Sequence, residues 1–186
     1  MRRRHSAIPQ IWITIIFLAA VMLSRILPHG GLSPKSGNSP APSVETGTQI
    51  SGKCVGVSDG DTIRIMHRGR EEKIRLFGVD APEMSQPYGN AAKRFTSQMV
   101  FGKTVTVDVR TQDRYGRTVG WVKTEDGRLL DVELVRAGLA WWYQYYDPDD
   151  QKLAKLEASA RKAKRGLWQQ SNSIPPWEYR RVERTR

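Results

Sequence analysis

The chain has 186 residues and carries 30 Lys and Arg against 19 Asp and Glu, a formal net charge of +11. Hydrophobic residues are 39% and charged residues 26%, which excludes wholesale disorder, a collagen-like fibre and a polytopic membrane protein. The single cysteine, Cys54, excludes an intramolecular disulfide and a four-cysteine zinc site, and three scattered histidines (His5, His29, His67) argue against a His-rich metal site.

Arg2, Arg3 and Arg4 precede an apolar stretch from about Ile8 to Leu27. A basic cluster followed by such a run reads as a signal anchor or a signal peptide over residues 1–27, with an apolar helix at its centre. No small-x-small cleavage site follows cleanly, which favours an uncleaved anchor. The triple arginine then stays cytoplasmic and the rest is exported. The expected location is the cell envelope, tethered by one span, or outside the cell if the segment is cleaved. Residues 28–48 hold four Pro, several Gly and Ser and no aromatic residue, so they read as a disordered linker.

The body is expected to start near Ile50. Gly52 to Val57 reads as a strand with Cys54 as a small buried hydrophobe, and Ser58 to Asp61 as a turn. Thr62 to Met66 alternates as a second strand. After a turn at His67–Arg70, Glu72 to Val79 reads as a third, with Lys73, Arg75 and Phe77 on one side. Ala91, Ala92, Phe95 and Met99 give Asn90 to Val100 the spacing of a helix, closed by Gly102. Thr104 to Arg110 and Thr118 to Lys123 are the fourth and fifth strands. Asp131 to Ala137 is a short helix capped by Gly138. Gln151 to Arg165 is an amphipathic helix with Leu153, Leu156, Ala160 and Ala163 inward. The predicted class is α+β, mainly β: a five-stranded OB-fold barrel capped by about three helices. Domain boundaries fall at 49–170 for the barrel domain and 171–186 for a basic, aromatic tail. The tail either docks on the domain or stacks on a base; its composition leaves both open.

Three clusters carry chemistry: Asp59-Gly60-Asp61-Thr62, then Arg75-Leu76-Phe77-Gly78-Val79-Asp80-Ala81-Pro82-Glu83, then Asp113-Arg114-Tyr115-Gly116-Arg117. Each alone is compatible with turns and a solvent-facing strand. Together they put three acids (Asp61, Asp80, Glu83) and two arginines (Arg75, Arg117) at the ends of neighbouring strands. Phosphodiester hydrolysis needs such a set. A hard cation takes carboxylate and carbonyl oxygens, a base orients and deprotonates water, and guanidinium groups hold phosphate oxygens in bidentate fashion.

These motifs, continued through Leu134-Val135-Arg136-Ala137-Gly138-Leu139-Ala140, resemble the staphylococcal nuclease (thermonuclease) family over residues 50–170. The resemblance implies the OB barrel and a Ca2+-dependent endonuclease acting on DNA and RNA. It implies Ca2+ carboxylate ligands at Asp61 and Asp80, with the Ala81 carbonyl beside them. Glu83 becomes the general base or the residue orienting the attacking water, and Arg75 and Arg117 clamp phosphate. Arg114, Tyr115, Tyr143 and Tyr146 become nucleic-acid-binding candidates. Two features depart from the family pattern: the stretch MSQPYGN after Glu83 is short, and one tyrosine of the base platform falls on Gln144. Trp141 and Trp142 read as core. The expected partners are DNA or RNA and, through the N-terminal segment, a membrane; no obligate protein partner is expected, and the domain is expected to be a monomer. The alternative is an OB-fold module at the membrane that binds nucleic acid and has lost catalysis. The basic stretch from Lys152 onward is a solvated helix face that also steers nucleic acid toward the site.

Overall fold

A computed structural model describes residues 46–185. The expected anchor and nearly all of the expected linker lie outside the described residues. Among the described residues, no helix is long and apolar enough to cross a membrane.

Five strands close a barrel: β1 (Gln49–Val57), β2 (Thr62–His67), β3 (Arg70–Leu76), β5 (Thr104–Gln112) and β6 (Thr118–Lys123). Their order around the barrel is β1-β2-β3-β6-β5, with β3 and β6 parallel and the other pairs antiparallel. The alternation in the sequence decides which faces point inward. Ile63, Ile65, Ile74, Val105, Val107, Val109 and Val122 are all buried and fill the interior, with Cys54 among them. Register shifts at Cys54–Gly56 in β1 and at Val109–Thr111 in β5 add the local coiling that closure needs. This is the five-stranded OB-type barrel expected from the strand count.

Helix α1 (Gly89–Val100) buries Ala92, Thr96, Met99 and Val100 and packs on β1 and on α2 (Leu130–Arg136). Helix α3 (Gln151–Lys162) is capped by Asp150, whose carboxylate accepts from the Lys152 and Leu153 amides, both at 2.9 Å. It packs on α2, burying Leu153 in the core and Ala160 against Trp141, Leu167 and Trp168. A 3-10 turn (Gly166–Gln169) follows, and Trp168 packs edge-on against Trp141 at 5.2 Å. Trp141 is therefore core as expected, while Trp142 is half-buried.

Three elements differ from the sequence reading. The third strand does not run on to Val79. It stops at Leu76, because Gly78 adopts φ +73° and turns the chain, and Val79–Asp80 form a two-residue strand β4 paired with β7 (Trp141–Trp142). The long helix ends at Lys162, not Arg165, and Ala163 is exposed, not inward. The reason is the contact it must reach: Lys164 takes φ +49°, and Gly166 then sits on Gly138, where the Leu167 amide donates to the Gly138 carbonyl at 2.9 Å. A Cβ on Gly166 would lie 2.2 Å from that carbonyl oxygen, so the approach requires glycine. Finally, residues within the expected tail form a fourth helix, α4 (Pro176–Glu183), opened by proline at its first position.

Candidate active site

The site lies at one rim of the barrel and is assembled from strand ends. Thr62 of β2 pairs with Arg75 of β3, and Arg75 pairs with Val119 of β6, so the start of β2, the end of β3 and the start of β6 meet. The Leu76 amide donates to the Asp61 carbonyl at 2.9 Å and fixes the first motif against the second. The turn carrying Asp59 and Asp61 is pressed onto the β4 exit and α1. A Cβ on Gly60 would meet Ala81 Cβ at 2.6 Å and Ala92 Cβ at 2.7 Å, so only glycine lets the turn lie this close. Thr96 Oγ1 of α1 donates to the Gly60 carbonyl at 2.5 Å and holds it there.

Asp61, Arg75 and Asp80 form a buried charge cluster, 5%, 6% and 1% exposed. Arg75 Nη2 donates to Asp80 Oδ1 at 2.7 Å, and Arg75 Nη1 contacts Asp61 Oδ1 without an aligned hydrogen bond. One guanidinium thus bridges the two carboxylates. Asp61 is further fixed by Thr62 Oγ1 (3.1 Å) and by the Ala81 amide, which donates to Oδ2 at 2.5 Å. Burial works against the Arg75 charge, but the nearby Asp61, Asp80 and Asp59 charges hold it firmly protonated. Burial pushes the Asp80 carboxyl up, an effect that Arg75 and Arg180 oppose. Burial, and then the charge of Asp61, push the Asp59 carboxyl up.

The cluster opens into a cleft of about 580 Å3. Every candidate singled out in the sequence lines it: Asp61, Arg75, Asp80, Ala81, Glu83 and Arg117, and equally Arg114, Tyr115, Tyr143 and Tyr146. Arg117 is positioned by Asp113, which accepts from its amide at 3.0 Å and from its Nε at 2.6 Å. Burial opposes this, yet the Arg117 contacts hold the Asp113 carboxyl below the usual carboxylate range. Arg114 Nη2 donates to the Tyr115 hydroxyl at 2.8 Å, and the Tyr115 ring is largely exposed. The Tyr146 ring lies against Phe77 at 5.4 Å and against Tyr143 at 5.4 Å.

Among the described residues, no three His, Cys, Asp or Glu side chains converge tightly enough to cage an ion by themselves. The donor set is leaner and all oxygen: the Asp61 and Asp80 carboxylates, bridged by one guanidinium, and the main chain at Ala81, whose amide touches Asp61. Two carboxylates and a main-chain carbonyl suit a hard divalent cation that keeps some of its water, and the residues present fit such an ion.

Several residues in the cleft were not singled out from the sequence, among them Trp177, Arg180 and Arg184. Arg180, from α4, shares Asp80 with Arg75 and also reaches Glu83. Its Nη2 donates to Asp80 Oδ2 at 2.8 Å, its Nη1 to Glu83 Oε1 at 2.6 Å and to Asp80 Oδ1 at 3.3 Å. Trp177, one turn earlier, stacks on Tyr143 at 5.3 Å. The sequence signal was present in Pro175-Pro176 followed by Trp177-Glu178-Tyr179-Arg180, a helix start with basic residues in the last turn. What no local signal carried was where that helix docks.

Comparisons with known proteins agree with this geometry. The family model described as staphylococcal nuclease homologue matches residues 73–170. A protein of Escherichia coli named "Uncharacterized endonuclease" is 44% identical over 131 residues, covering 70% of this chain and 85% of its own. The "Micrococcal nuclease" of Shigella flexneri is 33% identical over 151 residues, 76% of this chain and 87% of that one. An "Uncharacterized endonuclease" of Haemophilus influenzae is 36% identical over 133 residues, with 71% and 74% covered. With the matched region running from β3 through the 3-10 turn after α3, the chain belongs to the staphylococcal nuclease family.

Proposed function

We propose that this chain is an endonuclease that hydrolyses phosphodiester bonds of DNA or RNA with the help of a bound Ca2+. The observation that carries the reading is the bridging of Asp61 and Asp80 by Arg75 in a cleft also lined by Glu83 and Arg117. A barrel that only bound nucleic acid would gain nothing from acids beside its phosphate-binding arginines, since those acids repel the backbone. The binding-only alternative therefore leaves Asp61 and Asp80 no purpose beyond holding Arg75, and Glu83 none on the barrel.

Asp61, Asp80 and the Ala81 carbonyl are the residues that would hold the ion, and the ion, when bound, supplies positive charge to the scissile phosphate and acidifies water. The chain's own groups do the rest. Glu83, on the loop after β4, accepts a proton from water at its carboxylate oxygens once these are free of Arg180. Arg75 is held rigidly by its buried carboxylates, so it meets a phosphate oxygen without reorganising. Arg117, braced by Asp113, offers a second guanidinium to the charge that develops on the phosphorus oxygens. Tyr143 and Tyr146 offer ring faces to a base next to the cut bond. We further propose that the domain works outside the cytoplasm, tethered by, or released from, the segment that begins with Arg2–Arg4.

The test is cleavage of DNA and of RNA by the full chain with Ca2+ and with a chelator. Chelation is expected to abolish cleavage; undiminished cleavage refutes the cation. Glu83→Gln is expected to lower turnover by about 10^2–10^4 with the fold intact, and near-normal turnover refutes its assignment as the base.

A further inference from the structure

The acids of the site are neutralised from two sides, and the two sides are built differently. Arg75 comes from a barrel strand and its side chain is 7% exposed, whereas Arg180 comes from α4 and its side chain is 34% exposed. Of the residues of α4, only Pro176 is buried. The segment is otherwise pinned by a few contacts: Trp177 on Tyr143, the Tyr179 hydroxyl donating to Ser85 Oγ at 3.0 Å, and Gln86 Nε2 donating to the Ile174 carbonyl at 3.0 Å. Trp177 and Tyr143 line the cleft, and Arg184 on the next turn lines it too.

Arg180 contacts both Asp80 oxygens and one Glu83 oxygen. These are the atoms that the proposed reaction needs for the cation and for the water. While Arg180 holds them, Asp80 presents no free oxygen and Glu83 has one oxygen committed. Burial disfavours the Arg180 charge, but the Asp80 and Glu83 contacts more than offset it there, and a guanidinium released to solvent stays charged on its own. A guanidinium displaced from carboxylates in this cleft finds there the other anion the cleft is shaped for, a phosphate. It has the planar donor geometry to bind one in bidentate fashion.

We propose that Arg180 is a third phosphate-binding arginine, kept on Asp80 and Glu83 in the unloaded site and transferred to a phosphate of the bound strand when a divalent cation takes the Asp80 oxygens. The inference rests on the reading that Asp80 is a cation ligand. Helix α4 is then one wall of the nucleic-acid cleft, with Trp177 extending the ring surface of Tyr143 and Arg180 adding to the grip on the backbone.

Such an exchange has a signature that a purely structural helix lacks: removing Arg180 shifts two affinities in opposite directions. In calorimetric titration of the full chain with Ca2+ alone, Arg180→Ala is expected to bind the ion roughly tenfold more tightly, because the competing cation is gone. In saturating Ca2+, the same variant is expected to bind a short fluorescent phosphorothioate strand roughly tenfold more weakly. The slope of log K against log salt should also become shallower by about 0.7, one phosphate contact on a single strand. Arg180→Lys keeps the charge and loses the fork, so it should keep the salt slope and lose part of the affinity. Asp80→Asn serves as the reference for the underlying reading. If it loses Ca2+ binding while Arg180→Ala binds Ca2+ as the wild type does, the exchange is overturned and the cation site stands. If Asp80→Asn also binds Ca2+ unchanged, the cation assignment falls and takes the exchange with it. If Arg180→Ala binds the ion more tightly but holds the strand with unchanged affinity and slope, Arg180 is a plug and not a phosphate ligand.

Discussion

Arg75→Met isolates the group on which the site turns. Methionine keeps most of the apolar volume of the stem and deletes the guanidinium. Asp61 and Asp80 then remain buried, with Thr62 Oγ1 and the Ala81 amide on one and the half-exposed Arg180 on the other. Removing one partner of a buried ion pair costs about 3–5 kcal/mol, because the other charge is left without compensation. At about 2.1 cal/mol/K per residue for a domain the size of residues 46–185, each kcal/mol is worth about 3 °C in Tm. The variant is therefore expected to melt about 10–15 °C below the wild type in chelator. The deletion should also make the carboxylates better ligands, so added Ca2+ should return a larger part of the loss than it adds to the wild type. At a concentration of about 100 Kd the return is about 2.7 kcal/mol. Cleavage should stay lower by orders of magnitude even where the fold is restored. Thermal melts in chelator and in Ca2+, read beside nuclease assays, decide it. A variant within 3 °C of wild type in chelator would show that the guanidinium is not what holds the carboxylates together.

Three further outcomes are expected. Asp131, at the first turn of α2, is buried with Oδ1 unpaired, and burial lifts its carboxyl to about 6 from 3.8 against the pull of the Asp131 and Val132 amides. A carboxyl raised in the fold binds more protons folded than unfolded, so this group's contribution falls as pH rises from about 4 to 6 and its cost is full above that. Asp131→Asn should therefore melt near the wild type at pH 4 and gain up to about 3 kcal/mol at pH 8; a difference that does not change with pH refutes the assignment. Gly60→Ala drives a methyl into Ala81 and Ala92, so it should cost about 1–3 kcal/mol and weaken Ca2+ binding by shifting Asp61; melts and titrations that match wild type would show that the turn has slack. Arg117→Ala loses a partly exposed ion pair, worth about 1 kcal/mol or less in stability, but should lower kcat and kcat/KM together by about 10^2–10^3. A rise in KM with kcat intact would place Arg117 in binding alone.

What the sequence made legible follows from where its signals are local. The barrel strands announce themselves because a half-buried strand alternates, as in Thr62-Ile63-Arg64-Ile65, and the register then forces Ile63 and Ile65 inward. The three motifs met at one rim because β2, β3 and β6 are neighbours and each motif sits at a strand end. Gly78 hid the break in the third strand, since a positive φ in a glycine leaves no mark on the pattern of apolar residues. The early end of α3 was hidden for a different reason. Ala163 continues the apolar spacing, but docking Gly166 on Gly138 requires the chain to leave the helix first, and that contact joins residues 28 apart in sequence. Helix α4 was hidden for the strongest reason. Its anchoring contacts, Arg180 to Asp80 and Tyr179 to Ser85, join residues about 100 positions apart, and no local periodicity encodes them.

The unequal burial of the two arginines gives loading a direction. In the proposed exchange, an ion arriving at Asp80 must displace a guanidinium. Moving Arg75 would leave a buried cation without its partners, at several kcal/mol. Moving Arg180 breaks a pair with Glu83 that is one-third exposed on both sides, which costs about 1 kcal/mol or less to give up in water, and frees the buried Asp80 oxygens that the arriving ion itself takes, while a phosphate replaces them for the arginine. Arg75 therefore stays fixed as the frame on which both aspartates are held, and Arg180 is the group that yields. The same comparison explains why the two could not exchange roles. A guanidinium rooted in β3 cannot follow a substrate without opening the barrel, whereas one on a short helix with a single buried residue can move by the displacement of that helix alone.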